Sequence, residues 1–176
     1  QEAIRLNEEG IRLLSPEGSK NGSADVLKTY PELVFAWFGV NYAKSRYTED
    51  LGKVAAIGTG YVGDMKKGLE KLVAVYPQHP SSVATLGGIH AGIIDKSGAM
   101  MASMTYGAKA EKMEDYFRDA LRQQPDLAVV HKEYAVAMMR AYGDDAKDKA
   151  LVELQKAISL QPKSSVEALE QATSRK

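Results

Sequence analysis

Prolines that follow stretches of helical periodicity constrain the fold of this chain more than any other feature. Proline lacks a backbone N–H and its ring clashes with the preceding turn, so a helix should end before each one. These residues are Pro31, Pro77, Pro125 and Pro162. Ahead of three of them, residues at offsets of four and seven would share one helical face. The three sets are Met65, Leu69 and Leu72; Met113, Phe117 and Ala120; and Ala150, Leu154 and Ala157.

A second pattern follows the prolines, with large, large, small and large residues at offsets of zero, three, four and seven. Its copies are Phe35, Phe38, Gly39 and Tyr42; Val83, Leu86, Gly87 and His90; and His131, Tyr134, Ala135 and Met138. A weaker copy at the start of the chain consists of Leu6, Glu9, Gly10 and Leu13. These offsets also give one helical face, on which the small residue would let a neighbouring helix approach closely. The two patterns together predict paired antiparallel helices.

The length of 176 residues suits a single domain, 1–176. A closing helix should begin at a capping box formed by Ser164 and Glu167. The helix pairs are expected at about 1–30, 31–77, 78–125 and 126–162, and the closing helix at 164–175.

The double pattern resembles the tetratricopeptide repeat family, and the unit from Ala128 to Pro162 matches both of its helical signatures by residue size. The resemblance implies an all-α fold, an α–α superhelix in which antiparallel helix pairs stack as a solenoid. Both central units are longer than the family's period of about 34 residues. We therefore expect two lengthened central hairpins with about two extra turns on each helix, because adding whole turns keeps the same helical face against the neighbouring helix.

The stretch 94–108 is ambiguous, because Gly98 and Gly107 could bound either a helix or an ordered loop. Met100, Met101 and Met104 lie between them. They could form a soft, adaptable binding surface, but methionines at helical spacing more often fill a core, and we expect them there.

The segment Gly58–Gly63 reads GTGYVG and is similar to the fingerprint of dinucleotide-binding proteins. A nucleotide-dependent enzyme would need a strand before it and an acidic residue about 20 positions further on. Ser82, Val83 and Ala84 stand there instead. We therefore favour a helix, bent at glycines that permit close packing, over a cofactor site.

Other catalytic and metal-binding signals are missing from the sequence. There is no cysteine, and no two of His79, His90 and His131 have the spacing of four that would place two imidazoles on one metal ion. His90 and His131 fall on packing positions, so we expect them between helices. The sequence indicates no enzyme, no cofactor, no metal and no catalytic residue.

The charge balance argues against nucleic acid, because Lys plus Arg and Asp plus Glu both number 23. No apolar run approaches the roughly 20 residues of a spanning helix, so we expect no membrane insertion. The first residue, Gln1, suits either a processed export product or a trimmed chain. The compartment stays open, with a periplasmic or exported location favoured over a cytoplasmic one.

In the resembling family, partners bind the concave groove made by the first helix of each pair. The resemblance therefore implies a protein-binding scaffold that docks a protein or peptide, and basic residues in the groove would suit acidic groups on that partner. The asparagine of the family's carboxylate clamp is replaced here by Val136. The predicted groove residues are Lys44, Ala84, Gly88, Ala91, Lys132, Val136, Met139 and Arg140.

Two other classes remain open. Exported helical-repeat components that accompany solute transporters are similar in their lengthened hairpins and final repeat, which implies a small-ligand binding protein. The nucleotide-dependent enzyme that uses Gly58–Gly63 is the third alternative.

Overall fold

In this computed structural model, the residues described are 1–14, 28, 31–162, 165, 168, 171 and 172. They form helices and no β-strand, which confirms the all-α class. The superhelical arrangement stays a prediction. The second helix of the first predicted pair and most of the closing helix, with its Ser164–Glu167 capping box, lie outside the described residues.

Three of the prolines mark helix ends as predicted, since the helices Tyr61–Val75, Ala110–Gln123 and Lys147–Ser159 end just before Pro77, Pro125 and Pro162. A 3-10 turn, Gly143–Ala146, joins the helices Ala128–Tyr142 and Lys147–Ser159. The helices in chain order are α1 (Glu2–Leu14), α2 (Leu33–Glu49), α3 (Lys53–Gly58), α4 (Tyr61–Val75), α5 (Pro80–Ser97), α6 (Ala99–Tyr106), α7 (Ala110–Gln123), α8 (Ala128–Tyr142) and α9 (Lys147–Ser159).

The extra residues of the two central units form short separate helices rather than longer pairs. α2 and α5 contain 17 and 18 residues against 15 in α8, but α4 and α7 are not lengthened. The other extra residues of the two central units form the short helices α3 and α6. Glycines in left-handed conformations interrupt the helical path, at Gly60 (φ 73°), Gly98 (φ 78°) and Gly107 (φ 63°). The expectation of two extra turns on each helix is therefore wrong, and 94–108 contains the helix α6.

The chain separates into two compact units, residues 1–89 and 90–176. The boundary falls within α5. The single domain over 1–176 stays a prediction.

In the unit 1–89, α2 packs against both α1 and α4 through close backbone contacts. The amide of Asn7 lies against Gly39, and a Cβ added at Gly68 would lie 2.6 Å from Asn41 Oδ1. Asn41 is buried and donates a 2.8 Å hydrogen bond from Nδ2 to the Trp37 carbonyl oxygen. The close approach predicted at Gly39 is confirmed, with an asparagine side chain filling the gap.

The core of 1–89 uses a different helical face from the predicted one. Ile4, Ile11 and Val40 are buried. Phe35 of the predicted packing face is 70% exposed. The prediction that the face of Leu6, Leu13, Phe35 and Tyr42 packs inward is therefore wrong. α2 also carries Leu33, Val34 and Trp37, so apolar residues lie on both of its faces and the offsets alone do not select one.

In the unit 90–176, α8 packs against α7 and α9 as the sequence predicts. Phe117 is fully buried and its ring stacks on that of Tyr134, with centroids 4.9 Å apart and an interplanar angle of 15°. The residues at offsets of four and seven ahead of Pro125 and Pro162 are mostly buried. The buried members are Met113, Phe117, Ala120, Ala150 and Ala157. His90, His131, Ala135 and Met138 are buried as well.

Candidate functional site

An open cavity of about 310 Å³ lies beside α8 in the unit 90–176. It includes three of the residues predicted to line a groove, namely Val136, Met139 and Arg140. Apolar side chains make most of its surface. The remaining lining residues are Asp95, Ala135, Ala150 and Leu154.

Small residues on two helices explain why a cavity exists here. Ala135 of α8 and Ala150 of α9 are both buried, and both line the cavity. Their short side chains leave space between the larger side chains of Val136, Met139 and Leu154. The result is a depression with an apolar floor that a side chain of another molecule could enter.

Two charged residues, Asp95 and Arg140, are among those that line the cavity. Arg140 is partly exposed, and Asp95 near the end of α5 is exposed. Lys132 lies two turns before Arg140 on the same helix and is also partly exposed. A guanidinium at the edge of an apolar depression can bind a carboxylate with two parallel hydrogen bonds.

A buried polar cluster fixes α8 against α9. His131 Nδ1 lies 2.6 Å from Glu153 Oε2, and His131 Nε2 lies 2.9 Å from the Pro125 carbonyl oxygen. Both of these oxygens are acceptors, so each ring nitrogen of His131 has an acceptor within hydrogen-bond distance. Lys156 Nζ also donates to Glu153 Oε1 at 2.7 Å. The interhelical position predicted for His131 is confirmed.

The pKa of Glu153 reflects two opposing effects. Burial raises it, but the hydrogen bonds from Lys156 and His131 lower it by more, so the pKa of Glu153 lies below its ordinary value. The carboxylate is therefore held in its charged form between α8 and α9. Its contact with His131 links α8 to α9.

A second cavity, of about 320 Å³, opens near the end of α8 and is more polar than the first. Tyr142 donates a 2.8 Å hydrogen bond to Glu114 Oε1 there. Burial, followed by the bond to Glu114 and nearby negative charge, raises the pKa of Tyr142. The phenol therefore remains protonated, and the hydrogen bond ties α7 to α8.

Two residues of the first cavity were not selected from the sequence. Asp95 lies on α5 outside both repeated patterns, so no sequence signal marks it. Leu154 belongs to the pattern of residues ahead of Pro162 and was expected in the core. It is instead partly exposed and lines the cavity. Its neighbour Ala150 is too small to cover it.

Lys44 has a different environment from the cavity residues. Its side chain is buried within 1–89, 6% exposed, and its Nζ lies 3.0 Å from Glu8 Oε1. The ammonium also lies 5.1 Å from the centre of the Tyr61 ring. Lys44 therefore ties α2 to α1 and α4, and a partner would reach it poorly.

The remaining predicted groove residues have small side chains. In 1–89, Ala84 is buried and Gly88 is partly exposed. In 90–176, Ala91 is fully buried. Burial of the two alanines leaves little of their surface for a partner.

The structure around Gly58–Gly63 lacks the strand that a dinucleotide site requires, because Val54–Ile57 lies in helix α3. Gly60 has a left-handed conformation and separates α3 from α4. A Cβ added at Gly58 or Gly63 would meet nothing within 4 Å. The helix is therefore interrupted at Gly60 and not merely bent. The expectation that these glycines permit close packing is wrong.

The methionines of α6 are exposed, so the prediction that they fill the core is wrong. Met100, Met101 and Met104 are 74%, 55% and 78% exposed. The helix anchors itself through Ala102 on another face, which is fully buried.

The part of the chain that the structure describes holds neither a cluster of candidate metal ligands nor a candidate membrane-spanning helix. No three His, Cys, Asp or Glu residues in that part of the chain are grouped so as to hold a metal ion. Within the same residues, no helix combines the length and the hydropathy needed to cross a membrane.

Comparison with known proteins adds no assignment: no family model matches the chain, and neither a curated protein nor a solved structure matches it.

Proposed function

We propose that this chain is a protein-binding module that docks an apolar segment with acidic groups on the α8 surface. This surface is defined as Lys132, Val136, Met139 and Arg140 together with the cavity that the last three line. The observation that carries the proposal is the largely apolar cavity of about 310 Å³ that Arg140 helps to line.

A cavity of this size holds one anchoring side chain of a partner better than a flat surface would. A buried apolar anchor in a desolvated pocket commonly supplies much of the binding energy of a protein interface. Val136, Met139 and Leu154 would contact such an anchor. Methionine adapts to different shapes because its side chain is unbranched and flexible, so an aliphatic or an aromatic anchor would fit.

The charges favour acidic groups beside the anchor. Arg140 would pair with a carboxylate through two hydrogen bonds, and Lys132 would attract the same segment as a less directional charge. Asp95 lies at the cavity as well and would oppose a second carboxylate on its side. The favoured ligand is therefore an apolar side chain flanked by acidic residues on the Arg140 side.

The test begins with a photo-crosslinking residue in place of Val136, to capture the partner from the native source. The matched control carries the same residue at Leu151, which is exposed on α9 and does not line the cavity. A protein captured at position 136 and not at position 151 is then used for affinity measurements.

Charge reversal gives the quantitative prediction. The Lys132→Glu/Arg140→Glu variant should bind the captured partner more than about tenfold more weakly, with the free energy of unfolding within about 1 kcal/mol of wild type. The control, Lys112→Glu/Lys147→Glu, makes the same net charge change at two exposed residues outside the α8 surface. Equal weakening in the two variants, or normal binding by the first, would contradict the proposal.

A small apolar ligand is the second candidate, because about 310 Å³ lies at the lower end of the 300 to 1,000 Å³ usual for ligand pockets. Such a protein could accompany a transporter. Ala135→Leu, which extends the floor into the cavity, would abolish small-ligand binding, whereas Lys132→Glu would change it little. Partner docking on the α8 surface would be weakened by both changes.

A further inference from the structure

The outer face of α6 concentrates three of the chain's seven methionines within five residues. All three side chains are more than half exposed. Exposed methionine carries an entropic and hydrophobic cost that a polar residue at the same position would avoid. The cluster is not part of the α8 surface, and packing does not account for it.

The helix presents the three thioethers on one side. Residues three and four positions apart on a helix are neighbours, with about 5 to 6 Å between Cβ atoms. Met104 lies three residues after Met101 and four residues after Met100, so it neighbours both. Each methionine has three rotatable side-chain bonds, so the sulfur atoms can converge on one point outside the helix.

The backbone holds this arrangement in place. Gly98 and Gly107 bound α6 with left-handed φ angles of 78° and 63°. At the C-terminal end, Gly107 N–H donates to the Ser103 carbonyl oxygen and Ala108 N–H to the Ala102 carbonyl oxygen, both at 3.0 Å. Ala102 and Ala108 are fully buried, so the short helix is anchored away from its methionines.

The chemistry of the segment selects the ion. Residues 97–108 contain no charged side chain, no histidine and no cysteine. Calcium and magnesium require oxygen ligands, and zinc requires thiolate, imidazole or carboxylate. Thioether sulfur is a soft, uncharged ligand that suits Cu(I) among biological cations.

We propose that Met100, Met101 and Met104 form a binding site for one Cu(I) ion, with three thioether sulfurs as the protein ligands. The exposed side chains can close on the ion without unfolding α6. A monovalent cation also leaves a smaller uncompensated charge on this segment, which has no charged side chain, than a divalent one would.

The test uses Ag(I), a redox-inert ion of the same charge and similar softness, and the protein labelled with ¹³C at the methionine methyl groups. On titration, the methyl signals of Met100, Met101 and Met104 should shift together and saturate at one equivalent of Ag(I). The signals of buried Met65, Met113 and Met138 should remain unchanged. Cu(I) under reducing conditions, in competition with a chelator, gives the affinity.

Two variants separate a shared site from independent thioethers. Met100→Leu/Met104→Leu should weaken Cu(I) binding by about tenfold or more, because it removes two ligands and keeps the side-chain volume. Leu151→Met/Val152→Met adds two exposed methionines outside both α6 and the α8 surface, and it should leave the affinity unchanged. Thermal unfolding checks that both variants remain folded.

The inference is overturned if Met139 shifts in parallel with the α6 methionines, or if the three α6 signals saturate separately with several ions. Unchanged Cu(I) affinity in the double variant would overturn it as well.

Discussion

The units 1–89 and 90–176 carry the same kind of sequence pattern but bury it differently. In 90–176 the signature residues His131, Ala135 and Met138 are buried, and the neighbouring face of α8 is accessible. In 1–89 Phe35 is exposed, whereas Lys44 of the predicted groove is buried.

The difference shows that helical spacing identifies a face only when one face is apolar. On α8, Lys132 and Arg140 mark the accessible face, and the signature residues His131, Ala135 and Met138 are buried. α2 has large apolar residues on both sides, and the glycine contacts with Asn7 and Asn41 determine which side packs inward. Asparagine side chains against glycines therefore mark the helix contacts of 1–89, whereas the stack of Phe117 on Tyr134 marks the contact between α7 and α8 in 90–176.

The sharpest test of this contrast replaces a phenylalanine in each unit. Phe117→Ala should lower the free energy of unfolding by about 3 to 5 kcal/mol, because it opens a cavity in the core of 90–176 and removes the stack on Tyr134. Phe35→Ala makes the same chemical change at a residue that is 70% exposed. It should cost less than about 1 kcal/mol. Chemical denaturation measures both, and equal losses would show that Phe35 belongs to a core.

The glycine contacts in 1–89 can be tested on a single helix. Gly68→Ala places a methyl group 2.6 Å from Asn41 Oδ1, and Asn41 is buried, so we expect a loss of about 1 to 3 kcal/mol in unfolding free energy. Gly63→Ala on the same helix meets nothing within 4 Å. Alanine's better helix propensity should make it neutral or stabilising by up to about 1 kcal/mol. If Gly68→Ala is as stable as Gly63→Ala, α2 and α4 are further apart than described.

The smallest expected effect compares a carboxylate in each unit. Glu153→Gln removes the charge between His131 and Lys156 and should cost about 1 to 2 kcal/mol near neutral pH. Because the folded pKa of Glu153 is lowered, its contribution is present above the unfolded pKa of about 4.3 and is lost as pH falls through the folded pKa. The difference between wild type and variant should therefore shrink in acid.

Glu9→Gln is the matched control in 1–89. The hydrogen bond with Arg12 lowers the pKa of Glu9, but this pair is exposed on α1. Solvent screening should make the change undetectable in the same denaturation assay. A pH-dependent loss at Glu9 comparable with that at Glu153 would remove the distinction between the two pairs.

The parts of the fold that were predictable are those set by local chemistry. Proline ended helices where its missing N–H required it, and offsets of four and seven marked the buried faces of α4 and α7. The tetratricopeptide-like superhelix and the partner remain predictions. Val136, Met139 and Arg140 were selected together because they share one face of α8, and they do line one cavity.

The parts that were not predictable depend on how elements meet. The exposure of Met100 and Met104 follows from the anchoring of α6 through Ala102, which the methionine spacing does not reveal. The role of Gly60 was also hidden, because glycine allows both a close contact and a left-handed turn, and only the φ angle of 73° distinguishes them.

Trp37, the only tryptophan of the chain, is buried in 1–89 beside the Asn41 contact. Its indole fluorescence is therefore an intrinsic reporter of one half of the molecule, whereas far-ultraviolet circular dichroism records the helices of both halves. If the two signals change at the same denaturant concentration, the halves melt as one cooperative system. If they separate, the fluorescence trace alone describes residues 1–89, and the difference between the traces gives the melting of 90–176 without any added label.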